Sequence, residues 1–188
     1  MGLMSLTNQQ QQLLLKIAKD SIAHGLKYHA ALEINIKDYP RELQAIRATF
    51  VTLEINGNLR GCIGMLEAIR PLVIDIAENA FSAAFRDPRF PPVSEHEFSK
   101  LEIHLSILSP SEPISFESEE DLIRQLCPHE DGLIMQEDGL RGTFLPSVWD
   151  SLPESHQFLQ HLKLKTGLPS DYWSDTLRVW RYRCEIVE

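Results

Sequence analysis

Cys62 sits in the run Leu59-Arg60-Gly61-Cys62-Ile63-Gly64. A thiol is a strong nucleophile as its thiolate, and a neighbouring cation favours that form. Arg60, two residues away, is the local candidate cation if both side chains leave the same face of a strand. The competing reading is a small buried hydrophobe beside a surface arginine, since free cysteine is among the most buried residue types. No nearby His or Asp offers itself as a partner base, so the residues stop short of a triad. A second cluster is Arg86-Asp87-Pro88-Arg89-Phe90-Pro91-Pro92, a stiff segment with three prolines. Its two arginines can clamp a carboxylate or phosphate, with Phe90 as one wall. They can equally pair with acids nearby while Asp87 caps a turn.

Other chemistries find little support. Cys127-Pro128-His129 lacks the second ligand pair of a closed zinc site, and His24/His29 and His156/His161 are five apart, off the i, i+4 spacing of a helical metal pair. The expectation is therefore no metal and no structural zinc. Neither a Walker loop nor G-x-G-x-x-G occurs, so no cofactor is implied. Gly61-Cys62-Ile63-Gly64 has the outline of a nucleotide-clamping G-x-x-G loop, but it continues a strand, and tight backbone packing explains its glycines better. Arg178, Arg181 and Arg183 alternate faces and form no single basic stripe.

Eighteen Lys and Arg against 27 Asp and Glu leave a formal charge of −9, which disfavours nucleic-acid binding and an anionic membrane surface. Three widely spaced cysteines in 188 residues read as reduced thiols, not a disulfide framework. The start carries no basic, apolar leader, and Gly2 is followed by Leu6 where an acylation motif needs Ser or Thr. No membrane contact and a cytoplasmic location are the expectations.

The elements that must position these residues read as hairpins mixed with helices. Thr7 and Gln10 form a capping box for a helix over 8–24 that stops at Gly25. Residues 48–55 and 58–64 flank Asn56-Gly57, a strong hairpin signal. Without a bulge, that turn sets Leu53 opposite Arg60 and Val51 opposite Cys62, with Gly61 and Gly64 leaving open space beside the thiol. Pro71 opens a helix over 71–85 that Asp87-Pro88 ends, and Ser94 with Glu97 caps a short turn. Residues 101–108 alternate as a half-buried strand with Glu102, His104 and Ser106 on the outer face. Ser118 starts an acidic-first helix, Asp138-Gly139 joins a second hairpin, 154–166 is a helix and 176–187 a final strand. The class is α+β, compact, of two subdomains, with mainly antiparallel sheet and flanking helices.

The hexapeptide LRGCIG resembles the AMMECR domain, known in prokaryotes as AmmeMemoRadiSam system protein A. ENAFSAAFRDPRFPP (78–92), LEIHLSILSP (101–110), DGLIMQEDGLRGTFLPSVW (132–149), FLQHLKLKTGLPSDYWS (158–174) and LRVWRYR (177–183) resemble successive family blocks in family order. The resemblance covers nearly the whole chain and implies a single domain of two subdomains. It also implies an association with a Memo-like protein and a radical-SAM protein, and it brings no established reaction. His104 departs from the family pattern. Three functions follow as expectations. The first is binding of a small ligand or partner by Arg60, Gly61, Gly64, Arg86, Asp87, Arg89 and Phe90. The second is a thiol-dependent enzyme using Cys62, and the third, disfavoured by charge, is nucleic-acid binding.

Overall fold

The computed structural model describes residues 5–188, and Gly2, weighed above for acylation, lies outside them. The chain divides into two compact units: one runs up to Ser109 and takes back Glu185–Glu188, and the other is Pro110–Cys184.

In the first unit, the Thr7 hydroxyl accepts from Gln10 N at 3.2 Å, while the Gln10 side chain accepts from Thr7 N at 2.9 Å. This box starts α1 (Asn8–Tyr28), which runs past the expected stop and ends on His29 in the left-handed region, φ 57°. Gly25 is a contact glycine instead: a Cβ there would overlap the rings of Phe81 and Phe85. Strands β1 (Thr49–Ile55) and β2 (Asn58–Gly64) flank a turn in which Asn56 and Gly57 both have positive φ, 52° and 73°. Then follow α2 (Leu72–Phe85), the short α3 (Glu95–Phe98) on its Ser94/Glu97 box, and β3 (Glu102–Leu108).

Alternation turns Val51 and Leu53 of β1 and Leu105 and Ile107 of β3 into a core with Leu14, Ile17 and Ile22 of α1 and Ile76, Ala77 and Ala80 of α2. Burial of such a set is the dominant favourable term in folding. Two polar side chains of α2 also turn inward. Asp75 accepts from the Thr49 hydroxyl at 2.7 Å and from Arg70 Nη2 at 2.7 Å, and Asn79 donates to the Thr49 carbonyl at 3.1 Å. Every buried donor here has an acceptor, so the network locks α2 to β1 in one register.

The second unit contains β4 (Glu112–Pro113), α4 (Glu119–Gln125), β5 (Gly132–Glu137), β6 (Leu140–Phe144), α5 (Ser155–Thr166) and β7 (Arg178–Tyr182). Its sheet order is β4-β7-β5-β6. Trp149 stacks on Phe158 at 3.7 Å between centroids in its core. The expectation of one final strand over 176–187 is corrected. β7 belongs to the second unit's sheet, whereas β8 (Cys184–Val187) is the edge of the first, whose order is β2-β1-β3-β8. Alternation marks extended backbone but does not name the strand it pairs with. The mixed helices and antiparallel pairings are the α+β class expected. Among the described residues no helix is long and apolar enough to cross a membrane.

Candidate functional site

The β1–β2 register holds a bulge. Ile55 faces Asn58 and Glu54 faces Leu59, but Leu53 then faces Gly61 and Thr52 faces Cys62. Arg60 is the extra residue, so the expected pairs Leu53–Arg60 and Val51–Cys62 are each displaced by one. A bulge bends the strand and re-aims a side chain. Arg60 uses that freedom to donate to Glu97 Oε1 from Nε (2.8 Å) and to the Pro91 carbonyl from Nη2 (2.9 Å). Its side chain is only 11% exposed. The guanidinium holds the Glu97 carboxyl down to about 2, helped by the Ser94 N–H.

Cys62 therefore lies on the sheet face opposite the helices, beside Thr52, with 3.2 Å between Sγ and Oγ1. The open space expected around it is also corrected. A Cβ on Gly61 would overlap the Ala83 carbonyl oxygen of α2, and one on Gly64 would overlap Phe50 and the Thr49 carbonyl. These glycines let β2 press against its neighbours; they do not clear room for a substrate.

The segment after α2 meets this strand through Asp87. One carboxylate oxygen accepts from Cys62 N (2.9 Å) and from Arg89 Nη2 (2.8 Å). The other accepts from Arg89 N and Nε, both at 3.0 Å. Hydrogen bonding from the Arg89 side chain, then from the Cys62 and Arg89 backbone, holds the Asp87 carboxyl far below the ordinary carboxylate range. Arg89 also reaches the Cys62 carbonyl at 3.5 Å, and its side chain is 55% exposed. Phe90 lies between the two arginines, 5.8 Å from Arg60 and 5.5 Å from Arg89.

LRGCIG and RDPRFPP thus come together, but with roles redistributed. Arg60 turns to Glu97 and Pro91, and the guanidinium that reaches the Cys62 backbone is that of Arg89. Arg86 is placed elsewhere, its guanidinium 4.9 Å above the Phe81 ring. Thr52 and Glu97 escaped sequence reasoning, because a cross-strand neighbour shifted by a bulge and a capping-box acid with a second partner leave no local signature. Burial pushes the Cys184 thiol up to about 12. In the second unit, Gln136, Glu137, Asp138, Thr176 and Arg178 line a polar recess. There the buried Glu137 carboxylate accepts from Ser174 and Thr176 hydroxyls at 2.7 Å and from Tyr172 at 2.8 Å.

The family model of AMMECR1 matches residues 15–187, the hairpin and the Asp87 loop included. The chain belongs to the AMMECR1 family. An AMMECR1-family relative from Methanothermobacter thermautotrophicus is 37% identical over 187 residues, covering 96% of this chain and 95% of its own. Protein MJ0810 of Methanocaldococcus jannaschii is 37% identical, with 86% of this chain and 82% of its own covered. The crystal structure of uncharacterized protein PH0010 from Pyrococcus horikoshii superposes with a TM-score of 0.85 at 34% identity, covering 96% of this chain and 92% of that one. The AMMECR1 fold of this chain is therefore the α+β arrangement described above, and the resemblance carried by LRGCIG extends over the whole length.

Proposed function

We propose that the Cys62 face of the first unit binds a small ligand or a partner segment through an anionic group presented to Arg89. The observation that carries this reading is the half-exposed Arg89 guanidinium, fixed by the buried Asp87 beside the Cys62 backbone. Asp87 engages Nε and Nη2, and Nη1 makes none of these bonds. A preorganised guanidinium next to an aromatic wall is suited to a carboxylate or phosphate. The Memo-like and radical-SAM proteins implied by the family resemblance are the proposed partners. Arg60, closed off by Glu97, serves to hold the loop in place.

A second reading, thiol-dependent catalysis, is favoured by a partly exposed Cys62 whose backbone carbonyl the same guanidinium reaches. Cysteine-resolved alkylation by iodoacetamide separates the two. Cys62 should react in the native protein, and inorganic phosphate or citrate should protect it in wild type but not in Arg89→Ala. Slower alkylation in Arg89→Ala without added anion supports the thiol chemistry. A Cys62 that reacts only on unfolding ends the thiol reading, and absence of anion protection ends the binding one.

A further inference from the structure

We infer that Glu54, Glu102 and His104 form a binding site for a first-row divalent cation of the zinc class on the outer face of the first sheet. Among the described residues these three offer ligand atoms lying within 4.8 Å of one another. They come from two strands: Glu54 faces Glu102 directly across β1 and β3, and His104 faces Thr52 two pairs along, the next pair on the same sheet face.

Two observations point to a cation. First, like charges directly opposite in an antiparallel pair repel, and here the two glutamates share the sheet face that also carries the imidazole. Second, the imidazole is set as a ligand. Its Nδ1 is 3.1 Å from Glu188 Oε2, which orients the ring and, in the tautomer that donates there, leaves a lone pair on Nε2. The ring is 29% exposed, yet its Nε2 atom is turned inward and has no hydrogen-bond partner. Its nearest carboxylate oxygen, Glu54 Oε2, is 3.6 Å away, too far for a hydrogen bond. Two ligands each about 2.1 Å from one ion stand roughly 3.4 Å apart at the tetrahedral angle, close to the 3.6 Å between His104 Nε2 and Glu54 Oε2, and the Glu102 oxygen lies within 4.8 Å of both. A carboxylate on the far nitrogen of a ligating histidine is also a recurrent support in metal sites.

The donor set narrows the ion. An imidazole with two carboxylates suits zinc, manganese, cobalt or iron(II) better than the all-oxygen preference of magnesium or calcium. Three protein ligands leave a position for water, so the site is of the open, exchangeable kind, unlike the four-ligand structural site whose absence the spacing predicts. It neighbours the Cys62 site on the same face, with Thr52 between Cys62 and His104 in the strand ladder. It does not rest on the binding reading given for Cys62 and Arg89.

The test is calorimetric titration of the full chain, dialysed against chelator, with zinc chloride, and with cobalt(II) read by its visible absorption. Wild type should bind one equivalent saturably, with a cobalt spectrum typical of nitrogen and oxygen ligands and no thiolate charge-transfer band. His104→Gln and the double variant Glu54→Gln/Glu102→Gln should each weaken binding at least tenfold, and Glu188→Gln should weaken it about tenfold by loosening the ring. Circular dichroism checks that these outer-face variants fold. Cys62→Ser and Cys127→Ser should bind as wild type does. No saturable binding, binding indifferent to His104→Gln, or binding lost with a cysteine would overturn the site.

Discussion

Replacing Asp87 by alanine removes the acceptor that four donors share, and the cost can be worked donor by donor. The carboxylate is almost fully buried, its side chain 2% exposed. Of its donors, the Arg89 guanidinium is 55% exposed and regains water when released, so its loss costs little. The Cys62 and Arg89 backbone N–H groups are the expensive ones, because each must then find a new partner in a part-buried setting. An unsatisfied buried donor costs about 1–3 kcal/mol, so the pair amounts to roughly 2–6 kcal/mol. Arg89→Ala, which leaves both backbone bonds in place, should cost under about 1 kcal/mol. The sign of the pH dependence follows from the depressed Asp87 carboxyl. Its stabilisation is present above the unfolded value of about 3.9 and is lost as pH falls through the lower folded value. Urea unfolding at pH 7 should show a lower midpoint for Asp87→Ala at unchanged m, and the gap to wild type should close as the buffer is taken from pH 5 toward 2. A cost below about 0.5 kcal/mol, or a gap that widens in acid, would refute this account of the loop.

Gly61→Ala should destabilise the first unit by roughly 2–3 kcal/mol, since its Cβ meets the backbone of α2 and not a side chain that can rotate away; thermal unfolding alongside Gly57→Ala, where there is space but φ is 73°, separates steric from conformational cost. Glu137→Gln should destabilise the second unit at neutral pH: the Ser174 and Thr176 hydroxyls, then Tyr172, hold this carboxyl below its ordinary value, so its contribution is full above that ordinary value of about 4.3 and is lost as pH falls through the lower folded value, and the urea midpoints of wild type and variant should approach one another in acid. Glu119→Ala leaves the buried Lys163 ammonium without its 2.6 Å partner and should cost about 3–5 kcal/mol, measured by the same urea titration, with Lys163→Met restoring part of it.

Much of the fold was legible because local chemistry and global structure agree. Thr7/Gln10, Ser94/Glu97, Asn56-Gly57 and Asp138-Gly139 each specify a cap or turn within four residues, and each forms as its chemistry demands. Pairing was less legible. The Arg60 bulge is stabilised by Glu97 and Pro91, more than thirty residues away in sequence, and no pattern in 58–64 announces it. For the same reason the sequence points to Arg60 as the cation for Cys62, whereas in the fold it is Arg89, from beyond α2, whose guanidinium reaches the Cys62 carbonyl. Buried Asp75 and Asn79 were hidden too, because polar residues on an amphipathic helix look solvated until their partners Thr49 and Arg70 arrive. The cluster of Glu54, Glu102 and His104 exists only once β1 and β3 pair.

The edge strand β8 has a consequence for how the protein is made. The sheet that carries Cys62 is completed by residues 184–187, yet the rest of that unit ends at Ser109. A ribosome emits about 75 further residues between the two, which at roughly 5–20 residues per second is on the order of 4–15 seconds. Through that interval β3 is an open edge, Leu6 N lacks the Glu185 carboxylate that accepts from it at 2.9 Å, and the core lacks Val187. The nascent first unit therefore waits, with its sticky side uncovered, until residues 184–187 have been made. Slowing translation across 110–184 should lengthen its exposure to chaperones and to aggregation without altering a single native contact.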